Sequence, residues 1–296
     1  MTMAKTQHIL FPVDFSAQVN AAIPYVAGFA RELDATVTLL SVVPPIWAGR
    51  GPKPEYADEL EVSTRKRLDG ALTVEVHGLR VERVVVSGDP AEGILAYAND
   101  HQVDLIMMPT HGYGTFRRLL IGSVTAKVLH DAHCPVWTAA HAAEHTGEHM
   151  NEQGARRAAE RYVPQKMLCC VDGGPQSVEQ MRWAAAFSHE FGAQLRLLHV
   201  VPPVADWGVL VGDQQLEEEE REMARKRLRA LCAEARVDAP LEIEVGRIAE
   251  VVAAQAAAEN ADLLIIGRGK IGATLGRLRT HAYEIIQRSA CPVVSV

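Results

Sequence analysis

Pro109–Leu129 reads PTHGYGTFRRLLIGSVTAKVL, and Gly267–Ile286 reads GRGKIGATLGRLRTHAYEII. Each is a glycine-rich loop that follows an apolar run and opens a helix. The rest of the chain repeats in the same register. Asp14 and Asp172, Val42 and Val200, Gly88 and Gly246, and Asp104 and Asp262 all stand 158 residues apart (172−14, 200−42, 246−88, 262−104). Cys134-Pro135-Val136 recurs as Cys291-Pro292-Val293, 157 on (291−134), so the second glycine loop is one residue shorter. The two copies therefore differ where a ligand would sit.

A chain of 296 residues, 48% of them apolar, has enough material for two ordinary cores. The repeat assigns one to residues 1–140 and one to 166–296, joined by a polar, His-rich linker over 141–165. A net charge of −7 and a pI near 6.0 exclude a general nucleic-acid or anionic-membrane binder, which would carry a basic surface. No apolar run reaches the roughly 20 residues needed to cross a bilayer, and the start MTMAKTQHILFPVDF turns polar too early for a signal peptide. A cytoplasmic protein is the expectation. The cysteines, Cys134, Cys169, Cys170, Cys232 and Cys291, are odd in number and show no CxxC spacing, so they read as small buried hydrophobes rather than disulfide partners or metal ligands.

Strands alternate with helices in both copies. HILFPVD, TVTLLSVV, VERVVVS, VDLIMMP and PVWTA read as strands of the first copy. Between them lie helices over Ala17–Leu33 with Ser16 as cap, about Ala57–Leu72, AEGILAYAND after Gly88-Asp89-Pro90, and SVTAKVLHDA. The second copy repeats the order from KMLCCVD to PVVSV. Such alternation requires crossover connections and hence an open parallel sheet with helices on both faces. The acidic-then-basic run of Glu217–Glu220 and Arg221, Arg225, Lys226 and Arg227 suits the solvated face of a helix. His141, His145 and His149 are spaced four apart, but Gly147 interrupts them and the pattern fixes no Cys and no acid to orient them, so no metal site is assigned.

In a doubly wound sheet the ligand lies at the carboxyl ends of the strands, where the order reverses between the first and fourth. Pro12-Val13-Asp14-Phe15-Ser16, Ser41-Val42-Val43 and Met107-Met108-Pro109-Thr110-His111-Gly112 meet there. The helix opening at Gly122-Ser123-Val124 adds unpaired N–H groups and a positive dipole end suited to phosphate. The candidate set is Pro12, Asp14, Val42, Met108, His111, Gly112, Gly122, Ser123 and Val124. It reads as a mononucleotide pocket with no catalytic residue assigned.

These residues resemble the universal stress proteins, whose ATP-binding members carry G-x2-G-x9-G-[ST] after the fourth strand. Gly112, nine residues (YGTFRRLLI) and Gly122-Ser123 match; Pro109 replaces the first glycine. The resemblance covers nearly the whole chain as a tandem pair and implies two five-stranded sheets of order 3-2-1-4-5. It implies that Asp14 contacts the nucleoside, that Val42 offers backbone groups to adenine, and that Gly122, Ser123 and Val124 hold phosphate. The expected ligand is ATP, ADP or AMP, with Mg2+ only if Asp14 helps hold it. Pro109 fixes φ and lacks an N–H, so an altered ribose or phosphate fit is expected. In the second copy Gly267 restores the glycine, but Arg279-Thr280 replace Gly-Ser. Arg279 would intrude on a phosphate, or hold an anion itself alongside Arg268 and Lys270.

The leading reading is a regulatory stress-response nucleotide binder rather than an enzyme, since no full Walker A motif, Mg2+ carboxylate cluster or nucleophile with an adjacent base is present. Slow ATP hydrolysis would need a metal held by Asp14. A second reading takes Asp172-Gly173-Gly174-Pro175-Gln176-Ser177 as the SGGxDS pyrophosphate loop of adenylating enzymes, which it matches only in its glycines and last serine. A third is a ligand-free interaction module whose copies pair through PVWTA and PVVSV, as homologous dimers of the family do, with further association into a homodimer. Asp14 and Asp172 also have a plainer use, as caps of the helices that follow.

Overall fold

The computed structural model describes residues 5–45, 54–71, 77–111, 121–139, 162–203, 214–268 and 277–296. The chain divides into two compact units, Ala4–Val163 and Pro164–Val296. In the first, β1 (His8–Pro12), β2 (Thr36–Val43), β3 (Arg80–Ser87), β4 (Leu105–Met107) and β5 (Val136–Thr138) alternate with α1 (Ala17–Leu33), α2 (Pro54–Gly70), α3 (Pro90–Asp100) and α4 (Ser123–Asp131). The strands lie in the order β3-β2-β1-β4-β5, all parallel.

The second unit carries β6 (Lys166–Cys170), β7 (Gln194–Val201), β8 (Leu241–Val245), β9 (Leu263–Ile266) and β10 (Val293–Ser295). Between them run α5 (Ser177–Glu190), α6 (Gln214–Ala235), α7 (Ile248–Ala258) and α8 (Arg277–Arg288). Its order, β8-β7-β6-β9-β10, is the same 3-2-1-4-5 pattern, again parallel throughout.

The central strands are apolar along their whole length because helices cover both faces. Ile9, Leu10 and Phe11 are buried, as are Met167, Leu168 and Cys169 at the matching positions. One carboxylate sets each register. Asp104 Oδ2 accepts the N–H groups of Gln7 and His8 at 2.8 and 2.9 Å, and Asp262 Oδ2 accepts those of Gln165 and Lys166, both at 2.9 Å. These carboxylates tie the start of each first strand to the fourth, so both strands run out toward the opposite edge in step.

Local chemistry explains most boundaries. Ser16 caps α1 by accepting from the N–H of Val19, and Asp89 caps α3 by accepting from Glu92, with Pro90 in the first turn. α2 begins at Pro54, ahead of the expected Ala57, because proline is suited to a helix start. β4 is shorter than the apolar run that announced it, ending at Met107. In α6 only Leu228 and Ala235 are buried among the described side chains, which leaves the charge run on the solvated face as expected. Its ion pairs join Arg221 to Glu218 at 3.5 Å and Arg225 to Glu222 at 2.6 Å, one turn apart.

Tyr162, in the stretch read as linker, packs its ring 4.4 Å from that of Tyr25, which lies 5.2 Å from Trp137. Gly28 makes room for it, since a Cβ there would stand 2.2 Å from the Tyr162 carbonyl oxygen. No disulfide joins the five cysteines; Cys169 alone is fully buried, and the expectation of buried hydrophobes is corrected for Cys134, Cys170, Cys232 and Cys291, which are half-buried. Burial pushes the Cys169 thiol up to about 12 and also raises Cys170, Cys232 and Cys291.

Candidate functional site

β1 pairs with β2 on one side and β4 on the other, so the carboxyl ends of all three open at one edge of the sheet. The Val13 N–H donates to the Leu40 carbonyl at 2.7 Å, whereas the Gly88 N–H donates to that of Val43 at 2.9 Å. Alternate residues of β2 thus face β1 and β3. Val42 belongs to the β1-facing set and lies two residues beyond the last register pair, Pro12 with Leu40. Its N–H and C=O therefore face the crevice above the end of β1. α3 holds Val42 from behind: a Cβ on Gly93 would meet its Cγ1 at 3.1 Å, a tight contact that glycine avoids.

Asp14, exposed, follows the end of β1, and its Oδ1 accepts the Ser16 N–H at 2.9 Å. The capping role weighed for Asp14 falls instead to Ser16, and Asp14 Oδ2 has no partner among the described residues. Between them Phe15 takes a φ of 63°, in the left-handed region that bulky residues seldom occupy. The Arg67 guanidinium of α2 sits 4.1 Å from the centre of its ring. No pattern in the sequence announces this strained aromatic.

The end of β4 connects to the start of α4 through a short network. The Gly122 N–H donates to the Thr110 carbonyl at 2.8 Å, Thr125 Oγ1 donates to the Pro109 carbonyl at 3.1 Å, and Thr110 Oγ1 pairs with His111 Nδ1 at 2.9 Å. Gly122 has a φ of −59°, an ordinary value. Its lack of a side chain matters for another reason: a Cβ would stand 3.3 Å from the Thr110 oxygen. The expected free donor at Gly122 is thereby corrected, because that N–H is spent inside the loop. The N–H groups that follow it remain, since α4 has no side-chain cap and a helix start leaves its first amides unpaired. Ser123 is exposed and Val124 half-buried.

His111 is half-buried beside this helix start. Its Nε2 is buried with no partner among the described residues, and burial lowers its pKa below 6.5. Pro12 and Met108 are buried at the ends of β1 and β4, with the Met108 N–H donating to the Trp137 carbonyl at 3.1 Å. Gly112 lies outside the described residues, as do Lys270 and the three linker histidines. Thr110 and Thr125, which tie the end of β4 to the start of α4, were not singled out by any spacing.

In the second unit the same edge is built differently. Asp172 Oδ1 accepts from the Gly174 N–H at 2.7 Å and from Ser177 Oγ at 2.9 Å, so the loop that is similar to a pyrophosphate loop closes on its own carboxylate. His199 Nδ1 bonds the Val171 carbonyl at 2.7 Å, and Gln180 Nε2 donates to that of Cys170 at 2.8 Å. Gly267 has no left-handed φ, unlike Gly173 with a φ of 73°. The counterpart of Pro109 thus makes no use of a left-handed conformation. Gly267 instead faces Gln180 closely, since a Cβ at that place would lie 3.0 Å from its Oε1. α8 starts at Arg277, so Arg279 falls within its first turn rather than at its cap.

Among the described residues no group of His, Cys, Asp and Glu is disposed to hold a metal ion, and no helix is long and apolar enough to cross a membrane.

The sequence profile of the universal stress protein family matches residues 5–139 and 164–296. A universal stress protein of Mycolicibacterium smegmatis is 26% identical over 314 aligned positions, spanning 100% of this chain and 99% of its own. Universal stress protein MJ0531 of Methanocaldococcus jannaschii is 31% identical over 135 positions, covering 43% of this chain and 78% of that one. A crystal structure of a universal stress protein from Archaeoglobus fulgidus shares the fold, with a TM-score of 0.66 and 19% identity over 98% of this chain and 96% of its own.

Proposed function

Because this chain belongs to the universal stress protein family, we propose that its first domain binds an adenine nucleotide and serves the stress response as a regulator rather than a catalyst. The observation that carries the reading is the uncapped start of α4, set at the strand-order reversal beside His111 Nε2, which has no partner among the described residues. Ser123 and Val124 would give backbone N–H groups to phosphate, and His111 Nε2 would give a third donor. Val42 presents a paired N–H and C=O to the base, and Asp14 Oδ2 accepts from the ribose hydroxyls.

What supports ATP, ADP or AMP over a smaller anion is the extent of this edge, from the phosphate end at α4 to the base end at β2. The Asp172 loop turns its Oδ1 inward onto Gly174 and Ser177, which lends no support to an adenylating reaction. Calorimetry with ATP and with AMP tests the reading. Wild type is expected to bind, and Gly122→Arg, which fills the approach to the α4 amides, is expected to lose binding. Unchanged affinity in Gly122→Arg would remove the assigned pocket.

A further inference from the structure

The two switch points differ in how their strand ends are satisfied. In the first domain the Val13 carbonyl receives no hydrogen bond among the described residues, and Ser41 and Ala22 stand at the positions of His199 and Gln180. In the second domain three of the chain's own side chains occupy the equivalent ground. His199 bonds the Val171 carbonyl, at the mouth where β6 ends against β7. Its Cε1 reaches within 3.8 Å of where a Cβ on Gly173 would stand, so the imidazole also fills the space beside the turn after β6. Gln180, 6% exposed, bonds the Cys170 carbonyl at the end of β6 and reaches the end of β9 at Gly267. Ser177 holds the carboxylate of Asp172.

We infer that His199 and Gln180 close the second domain to nucleotide, so that the chain carries one adenine-nucleotide site and a second domain folded around its own internal ligands. A buried carbonyl is stabilised only when paired, and a partner on the same chain is always present, whereas a nucleotide must compete for the place. His199 takes the crevice beside the backbone of Val200, the counterpart of Val42. Gln180 bridges the ends of the two strands whose separation defines the switch point. The pairing also accounts for the exchange between copies: Gln180 with Gly267 in one, Ala22 with Pro109 in the other. The long amide fits most closely where the facing residue lacks a Cβ.

The inference rests on the reading of the first domain as the binding one, and its test separates the two. The full chain is titrated with ATP, and amide hydrogen exchange locates the protection. One equivalent protecting peptides of the first domain is expected. Two equivalents, with protection in both domains, would overturn the closure while leaving the proposed function standing. No binding would overturn the proposed function and the asymmetry with it. Arg279→Gly alone is expected to add no second equivalent; if it does, the glycine loop and not the strand ends is the obstacle, and the inference falls. Adding His199→Ser and Gln180→Ala to Arg279→Gly is expected to give a second, weaker equivalent, and failure to do so in a variant that retains its native exchange pattern would also overturn it.

Discussion

At the turn after the first strand of each domain the backbone enters the left-handed region, at Phe15 with a φ of 63° and at Gly173 with a φ of 73°. The connection from strand to helix demands this conformation in both, and glycine meets it at little steric cost. The first domain uses phenylalanine instead and sets the Arg67 guanidinium over its ring. In the two residues just before this turn the domains differ again. Among the described residues the Val13 carbonyl of the first domain has no partner, whereas His199 bonds the Val171 carbonyl of the second; Asp14 and Asp172 each accept one loop N–H on Oδ1, and only Asp172 adds a hydroxyl, that of Ser177. One framework thus yields a strained, open edge and a relaxed, self-satisfied one. Strain and unpaired polar groups at the same edge are the combination expected of a ligand site.

The largest effect that would break this contrast is at Gly122. Gly122→Arg is expected to lower nucleotide affinity by ~100-fold or more, the scale of two charge-assisted hydrogen bonds to phosphate, measured by calorimetry. Next comes the second domain's bridge. Gly267→Ala brings a Cβ to 3.0 Å from Gln180 Oε1 and breaks the amide's hold on Cys170. It should cost about 1–3 kcal/mol in denaturant unfolding, and Gln180→Ala in the same chain should restore most of that loss.

A smaller effect sharpens the comparison at the turn. Gly173→Ala should destabilise the second domain by about 1 kcal/mol, because a Cβ is strained at its φ. Phe15→Gly should stay within about 1 kcal/mol of wild type, as relief of strain offsets lost ring contact and added chain entropy. If the two substitutions cost the same, the strain assigned to Phe15 is wrong.

The smallest effect is a pH dependence confined to the first domain. Burial lowers the pKa of His111 below 6.5, so the fold favours its neutral form. The stability this confers is fully present above pH 6.5 and is lost as pH falls through the lowered value. His111→Asn should flatten the thermal stability of the first domain across that range while leaving the second unaffected. An unaltered pH profile in the variant would exclude the contribution.

Much of this architecture was legible in the residue order. Repeats at a fixed interval, apolar runs bounded by Gly and Pro, and caps such as Ser16 and Asp89 report local chemistry, and α1 and β2 run over the residues their patterns delimit. The candidate site was legible only in part. Spacing brought Asp14, Val42 and Gly122 to one edge, but not the contacts that each glycine there makes with the rest of the fold. Gly122 serves a close approach to the Thr110 oxygen, and Gly267 makes way for Gln180; neither uses a left-handed φ. Such contacts join residues far apart in the chain, and no periodicity encodes them.

By itself the order of residues determined the tandem repeat, the parallel alternation of strand and helix, and the end of the sheet where a ligand belongs, because backbone geometry and side-chain periodicity act over a few neighbours at a time. Which polar groups at that edge are already paired was decided only by the tertiary structure. His199 meets Val171 across 28 positions, and Gln180 meets Gly267 across a far longer stretch. A hydrogen bond forms or fails on distances of tenths of an ångström, and those are set by the packing of the whole domain.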